Sequence, residues 1–196
     1  GTGIEDYCDI LLQPTVGKRQ WINEDYKSPF SHAKEKASPG YYGVHLDKYG
    51  IDVELTTTLR TGLHKYQYPK GTKEGNVLID LAHRDIVIDS WLEKVDDYTL
   101  RGKRQSRSWA LNQTLFFVVR FSKPIAGYVV ALDDAEKGDL KKAEGRNVKA
   151  YATFDVSNGE PLMVKVGLSA VSAEGAMKNL EAEQKGFDFG ATLAAA

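Results

Sequence analysis

Val148-Lys149-Ala150-Tyr151-Ala152-Thr153-Phe154, then Ser157-Asn158-Gly159-Glu160-Pro161, then Leu162-Met163-Val164-Lys165-Val166-Gly167-Leu168: the reading of this stretch decides the fold class. Val148, Ala150, Ala152 and Phe154 take alternate positions in the first segment, and Leu162, Val164, Val166 and Leu168 do so in the second. A period of two is that of a strand with one buried face. Asn158-Gly159 between them favours a tight turn, so the stretch predicts a hairpin. Outward from it, Ile51, Val53 and Leu55 alternate with Asp52, Glu54 and Thr56 in the same way. Leu115 to Val119 is apolar at every position, which predicts a central strand buried on both sides. Val77 to Leu81 and Ile86 to Ile88 are shorter runs of that kind. Lys123-Pro124 ends the Phe117–Phe121 strand, because Pro donates no ladder hydrogen bond. Gly127 to Leu132 then resumes as a strand, and the charged Asp133 to Gly145 segment reads as a surface loop or long hairpin tip. One helix is predicted near Ser172–Lys185: Ser172 caps it, Glu174 suits its positive end, and Gly186 stops it. Its apolar face would hold Ala173, Ala176, Met177 and Leu180. About a dozen short strands and one late helix argue an all-β fold, a two-sheet antiparallel β-sandwich with one short C-terminal helix.

The bulk composition narrows the function classes. The chain has 196 residues, 42% hydrophobic and 27% charged, with net charge −1. That is globular composition, and it gives no electrostatic footprint for nucleic acid or an anionic membrane. Lys103, Arg104 and Arg107 cluster, but with Asp96 and Asp97 nearby they read as a solvated strand end. The single cysteine, Cys8, excludes an internal disulfide and reads as a small buried apolar residue. No run has the length of a membrane-spanning helix, and no signal peptide is read. The start at Gly1-Thr2-Gly3 and the end in Ala194-Ala195-Ala196 read as those of a piece of a longer protein, with a periplasmic or extracellular location expected for the parent.

Chemistry-bearing residues are present without a self-sufficient motif. His32, His45, His64 and His83 have no metal-ligand spacing. Trp21, Trp91 and Trp109 can stack on a sugar ring or fill a core. Carboxylates are numerous, but the separation that marks a glycosidase pair is not a sequence property. Phe30-Ser31-His32-Ala33-Lys34-Glu35-Lys36-Ala37-Ser38-Pro39-Gly40-Tyr41-Tyr42 concentrates a His, a Glu, a turn signal and two tyrosines that open an extended run. This places Ser31, His32 and Glu35 on a loop leading into a strand, either as binding groups or as ties that hold the loop down.

Five ordered blocks carry a resemblance over nearly the whole chain. Gly1-Thr2-Gly3 with Asp6-Tyr7 and Asp9-Ile10-Leu11-Leu12-Gln13-Pro14 is the first, with Cys8 where a Gly is common. Phe30 to Tyr42 is the second. Glu54-Leu55-Thr56 with Arg60, Gly62, His64 and Tyr66 is the third. Arg107, Trp109, Ala110 and Gln113 with Phe121-Ser122-Lys123-Pro124 form the fourth, Ser108 replacing a Gly. Val164 to Ser169 with Asn179 to Glu183 is the fifth. Together they resemble glycoside hydrolase family 92, the calcium-dependent exo-acting α-mannosidases.

The resemblance implies an N-terminal sandwich domain over residues 1–170, incomplete at its N-terminus. Residues 171–196 would be a helical linker toward an absent (α/α) barrel catalytic domain. It implies inverting hydrolysis of mannose-containing glycans, α-1,2-mannosidase-like, with the C-terminal barrel of the same protein as partner. Calcium is expected for the full-length enzyme, bound mainly by the barrel. No position here matches the family's catalytic or metal residues, so none is assigned and the piece alone is expected to be inert. Substrate-binding candidates are Gly1, Thr2, Gly3, Asp6, His32, Glu35 and Trp109, expected to cluster at one edge. A stand-alone carbohydrate-binding module and a purely structural sandwich domain are the alternative readings.

Overall fold

The computed structural model describes residues 9–196. Two antiparallel sheets face each other. In spatial order, the five-stranded sheet comprises Leu11–Thr15 (β1), Glu74–Asp80 (β6), Val148–Asp155 (β13), Gly127–Leu132 (β10) and Ala135–Gly138 (β11). The nine-stranded sheet runs Lys142–Gly145 (β12), Ile86–Lys94 (β7), Thr99–Arg107 (β8), Gln113–Phe121 (β9), Leu162–Ser169 (β14), Thr61–Gln67 (β5), Ile51–Thr57 (β4), Tyr41–Leu46 (β3) and Glu35–Ser38 (β2). Pro14 sits in β1, an edge strand, where its missing donor costs no central ladder bond.

The core is the space between the sheets. Val148, Ala150, Ala152 and Phe154 point into it from one side, and Leu162, Val164 and Val166 from the other. Phe117, Val119 and Phe121 of β9 join them, as the apolar run predicts, and β9 lies between β8 and β14. Both outer faces are covered as well. Trp21 and Tyr26 pack on Leu78, Ala131 and Tyr151 outside the small sheet. Outside the large sheet, Ala176 and Leu180 of the helix Ala173–Glu183 (α2) cover Val118.

The predicted hairpin is corrected. β13 pairs with β6 and β10, and β14 pairs with β5 and β9, so the Asn158-Gly159 turn carries the chain from one sheet to the other. Gly159 supplies the positive φ (+74°) the turn needs, and Asp155 accepts from the Ser157 amide at 2.9 Å. Asp133 to Gly145 is the long hairpin tip and not a loop: β10 and β13 pair antiparallel on either side of it, Leu132 opposite Val148. Asp133 and Asp134 both take positive φ in a tight turn, β11 folds back on β10, and β12 crosses to extend β7. Ile86 is 57% exposed, so the Ile86–Ile88 run is not buried on both faces.

The predicted C-terminal helix is α2. The Ser172 hydroxyl accepts from the Gly175 amide at 2.9 Å, and the helix ends before Gly186. Two further short helices accompany it, Asn23–Tyr26 (α1) and Phe189–Ala195 (α3). Phe189 meets Tyr41 edge-on, which seats α3 on the outer face of β3–β5.

Candidate functional site: a groove at one end of the sandwich

The β4–β5 turn, the β6–β7 loop, the β8–β9 tip, the exit of β14 and the approach to β1 meet at one end. They enclose a groove of about 680 Å³. Its walls are the last inward-facing residues of the two sheets, Leu12, Leu115, Val166 and Leu168. Asp9, Arg60, His64, His83, Arg84 and Gln113 bring polar groups to it.

Arg104 organises one side of the groove. Alternation on β8 points Leu100, Gly102, Arg104 and Ser106 inward, and Arg104 is fully buried. Its Nε donates to the Leu81 carbonyl at 2.7 Å. Nη1 donates to Asp9 Oδ1 at 3.0 Å and to Ser106 Oγ at 2.9 Å. Nη2 donates to the Arg84 carbonyl and to Asp85. Gln113 Nε2 adds bonds to Asp9 Oδ1 at 2.8 Å and Oδ2 at 2.7 Å. Burial pushes the Asp9 carboxyl above its usual range, while Gln113 and Arg104 oppose the shift by favouring the carboxylate. The solvated reading of the basic cluster therefore fails for Arg104, and the neighbouring Lys103 pairs with Asp89 at 2.6 Å.

The other side is set by α2. Glu183 accepts from Thr58 Oγ1 at 2.5 Å, the Arg60 amide at 3.0 Å and Arg60 Nε at 2.6 Å, so the helix holds the β4–β5 turn. His64, inward on β5, shares a 2.7 Å hydrogen bond with the Tyr66 hydroxyl. Burial lowers the His64 pKa to about 4, which keeps the ring neutral. His83 is also lowered by burial, and its Nδ1 lies 3.1 Å from Asn23 Nδ2. Around the groove the tips are apolar and bare: Leu59 is 96%, Trp109 77%, Leu111 87% and Val171 82% exposed. Among the described residues no cluster of three or more His, Cys, Asp or Glu is placed to hold a metal ion.

The predicted substrate-binding residues that lie among the described ones, His32, Glu35 and Trp109, do not form one cluster. Trp109 stands on the β8–β9 tip beside the groove. His32 lies in a 3₁₀ turn, His32–Lys34, and Glu35 begins β2 instead of sitting on a loop. β2 is the far edge of the large sheet, five strand positions from β9 and so roughly 24 Å away along it. Both Glu35 oxygens are engaged, Oε1 by the Tyr42 hydroxyl and Oε2 by His32 Nδ1, each at 2.6 Å. The Tyr42 hydroxyl first, then His32, hold the Glu35 carboxyl below its usual range. Gly1, Thr2, Gly3 and Asp6, like Cys8, lie outside the described residues. Asp9, Arg60, His64 and Gln113 stood in the quoted sequence blocks without being read as site residues. Arg104 carried one signal, the inward parity it shares with Leu100 and Gly102.

These features define a sandwich module that presents a groove and apolar tips at one end. Residues 1–169 match the glycosyl hydrolase family 92 N-terminal domain, and the chain belongs to that family. The family GH92 alpha-mannosidase BT3965 from Bacteroides thetaiotaomicron superposes with a TM-score of 0.90 at 32% identity, over 100% of this chain and 28% of that one. Its complex with mannoimidazole matches at 0.89 and 31%, over 100% and 27%. The family GH92 inverting mannosidase BT2199 from Bacteroides thetaiotaomicron VPI-5482 shares the fold at 0.84 and 24%, over 95% and 25%. The chain thus spans about a quarter of the length of these proteins. A comparison with curated proteins finds no match.

Proposed function

We propose that this chain is the N-terminal domain of an exo-acting, inverting α-mannosidase, α-1,2-mannosidase-like, and that its groove end forms one side of the mannose cleft. The observation that carries the reading is the ring of exposed Leu59, Trp109, Leu111 and Val171 around a groove in a family 92 domain. Apolar side chains bared together at strand ends mark a surface that another body covers. The remaining, helical domain is that body, and Trp109 offers its ring face to a sugar at the seam. The mannoimidazole bound by the BT3965 relative supports a mannose-type ligand.

Inverting hydrolysis needs a carboxylic acid to protonate the leaving oxygen and a carboxylate to activate water across the ring. Asp9 is the one carboxylate among the described groove residues, and it is committed to Arg104 and Gln113. On this reading the acid, the base and calcium all belong to the remaining domain. This chain supplies shape and contacts. Gly1, Thr2 and Gly3 would let backbone approach the sugar closely, and Asp6 would accept from its hydroxyls. His32 and Glu35 tie down the edge strand.

The test is Trp109→Ala in the full-length enzyme. The expected result is a loss in kcat/KM for an aryl α-mannoside worth about 1–3 kcal/mol of transition-state stabilisation, at unchanged Tm. Unchanged kinetics would remove Trp109 from the cleft.

A further inference from the structure

We propose that Arg104 is a positioning residue that sets the register of the groove walls; its activity readout rests on the mannosidase reading above. A guanidinium carries five N–H donors, and all five are used here, on four groups of partners. They are Leu81 of the β6–β7 connection, Arg84 and Asp85 further along it, Asp9 before β1, and Ser106 on β8 itself. Asp9 extends the network to Gln113 at the start of β9. One side chain thus joins three wall segments that are far apart in sequence.

Asp85 takes φ +49°, the left-handed region that Asp visits more readily than most non-glycine residues, and its carboxylate is fastened there by Arg104. The segment so held carries His83 and Arg84 to the groove. The Gln113 end anchors the foot of the hairpin that bears Trp109. A buried ion pair is a poor device for stability, since apolar residues of similar volume often serve as well or better. Its geometric exactness, five directed bonds at one point, is what an apolar residue does not supply.

The experiment compares wild type, Arg104→Met, Arg104→Lys, Asp9→Asn and the Arg104→Met/Asp9→Asn double variant in the full-length enzyme. Tm, kcat and KM on an aryl α-mannoside are measured together with hydrogen exchange resolved by peptide. The expected result for Arg104→Met is a lowered Tm, because Asp9 and Asp85 keep buried carboxylates without their partner, and, at a temperature where the variant is folded, a kcat/KM reduced tenfold or more. Arg104→Lys should recover part of that loss, and the double variant should lose no more than the worse single one. Exchange should rise at least tenfold over residues 82–86 and 9–12 while β6, β9 and β13 stay protected. A kcat/KM within twofold of wild type in folded Arg104→Met overturns the proposal, and so does exchange that rises uniformly over the sandwich. If Arg104→Met does not fold, Arg104→Lys and Asp9→Asn decide by the same criteria. If the wild-type enzyme is inert on α-mannosides, the mannosidase reading fails. Positioning is then judged by exchange alone, local loosening supporting it and no change or uniform loosening overturning it.

Discussion

Gly167 lies directly beneath Ala176: a Cβ on Gly167 would meet the Ala176 carbonyl oxygen at 2.4 Å and Leu180 Cβ at 2.9 Å. The glycine is therefore what allows α2 to rest on β14. The obstacle is helix backbone, which does not rotate out of the way. Gly167→Ala should lift α2, uncover Val118 and destabilise the domain by about 3 kcal/mol, a cost at the upper end for overpacking. Urea unfolding checks this, and a change under about 0.5 kcal/mol, the scale of an ordinary surface substitution, would contradict the packing described.

Stability should fall in acid partly through His64. The unfolded chain protonates this ring near pH 6.5, whereas the folded chain does so only near pH 4. Between those values the unfolded state binds the extra proton, so stability drops as pH falls from 6.5 to 4, and below 4 the loss is complete. The full effect is at most about 3 kcal/mol, less where groove water reaches the ring. Stability curves of wild type and His64→Gln should differ in slope across that window and run parallel above pH 7. His83, lowered by the same cause, adds to the wild-type slope and stays in the variant.

His32 and Glu35 should matter to the edge strand and not to turnover. In the full-length enzyme, His32→Ala should keep kcat/KM within about twofold and shift Tm only slightly, as expected for an exposed ion pair. Glu35→Ala also frees the Tyr42 hydroxyl, so it should cost more Tm than His32→Ala. A large kinetic loss at unchanged Tm would return both residues to the cleft.

What the sequence revealed follows from what periodicity encodes. Leu115–Val119 was legible as a central strand because neighbours on both faces exclude every polar residue from it. Val148–Phe154 and Leu162–Leu168 were legible as strands but not as members of different sheets. Alternation reports which face is buried, and both segments bury a face in the same core. Phe189–Ala195 has no polar face and only one polar residue, Thr192, so no helical period marks it. At the candidate site, Trp109 was named from its ring face and its sequence block, and the structure places it on the β8–β9 tip beside the groove. Arg104 was hidden because its charged neighbours in sequence suggest solvent, while its parity on β8 points inward. The groove itself is assembled from five segments whose proximity only the topology creates.

The measurement that bears most directly on the account is hydrolysis of an aryl α-mannoside and of α-1,2-mannobiose, with calcium, by the full-length enzyme and by the purified 196-residue chain in parallel. The account predicts turnover with inversion at the anomeric carbon by the full-length enzyme and none by the chain alone. Turnover by the chain alone, abolished by chelation, would contradict it, as would a full-length enzyme that leaves both substrates intact.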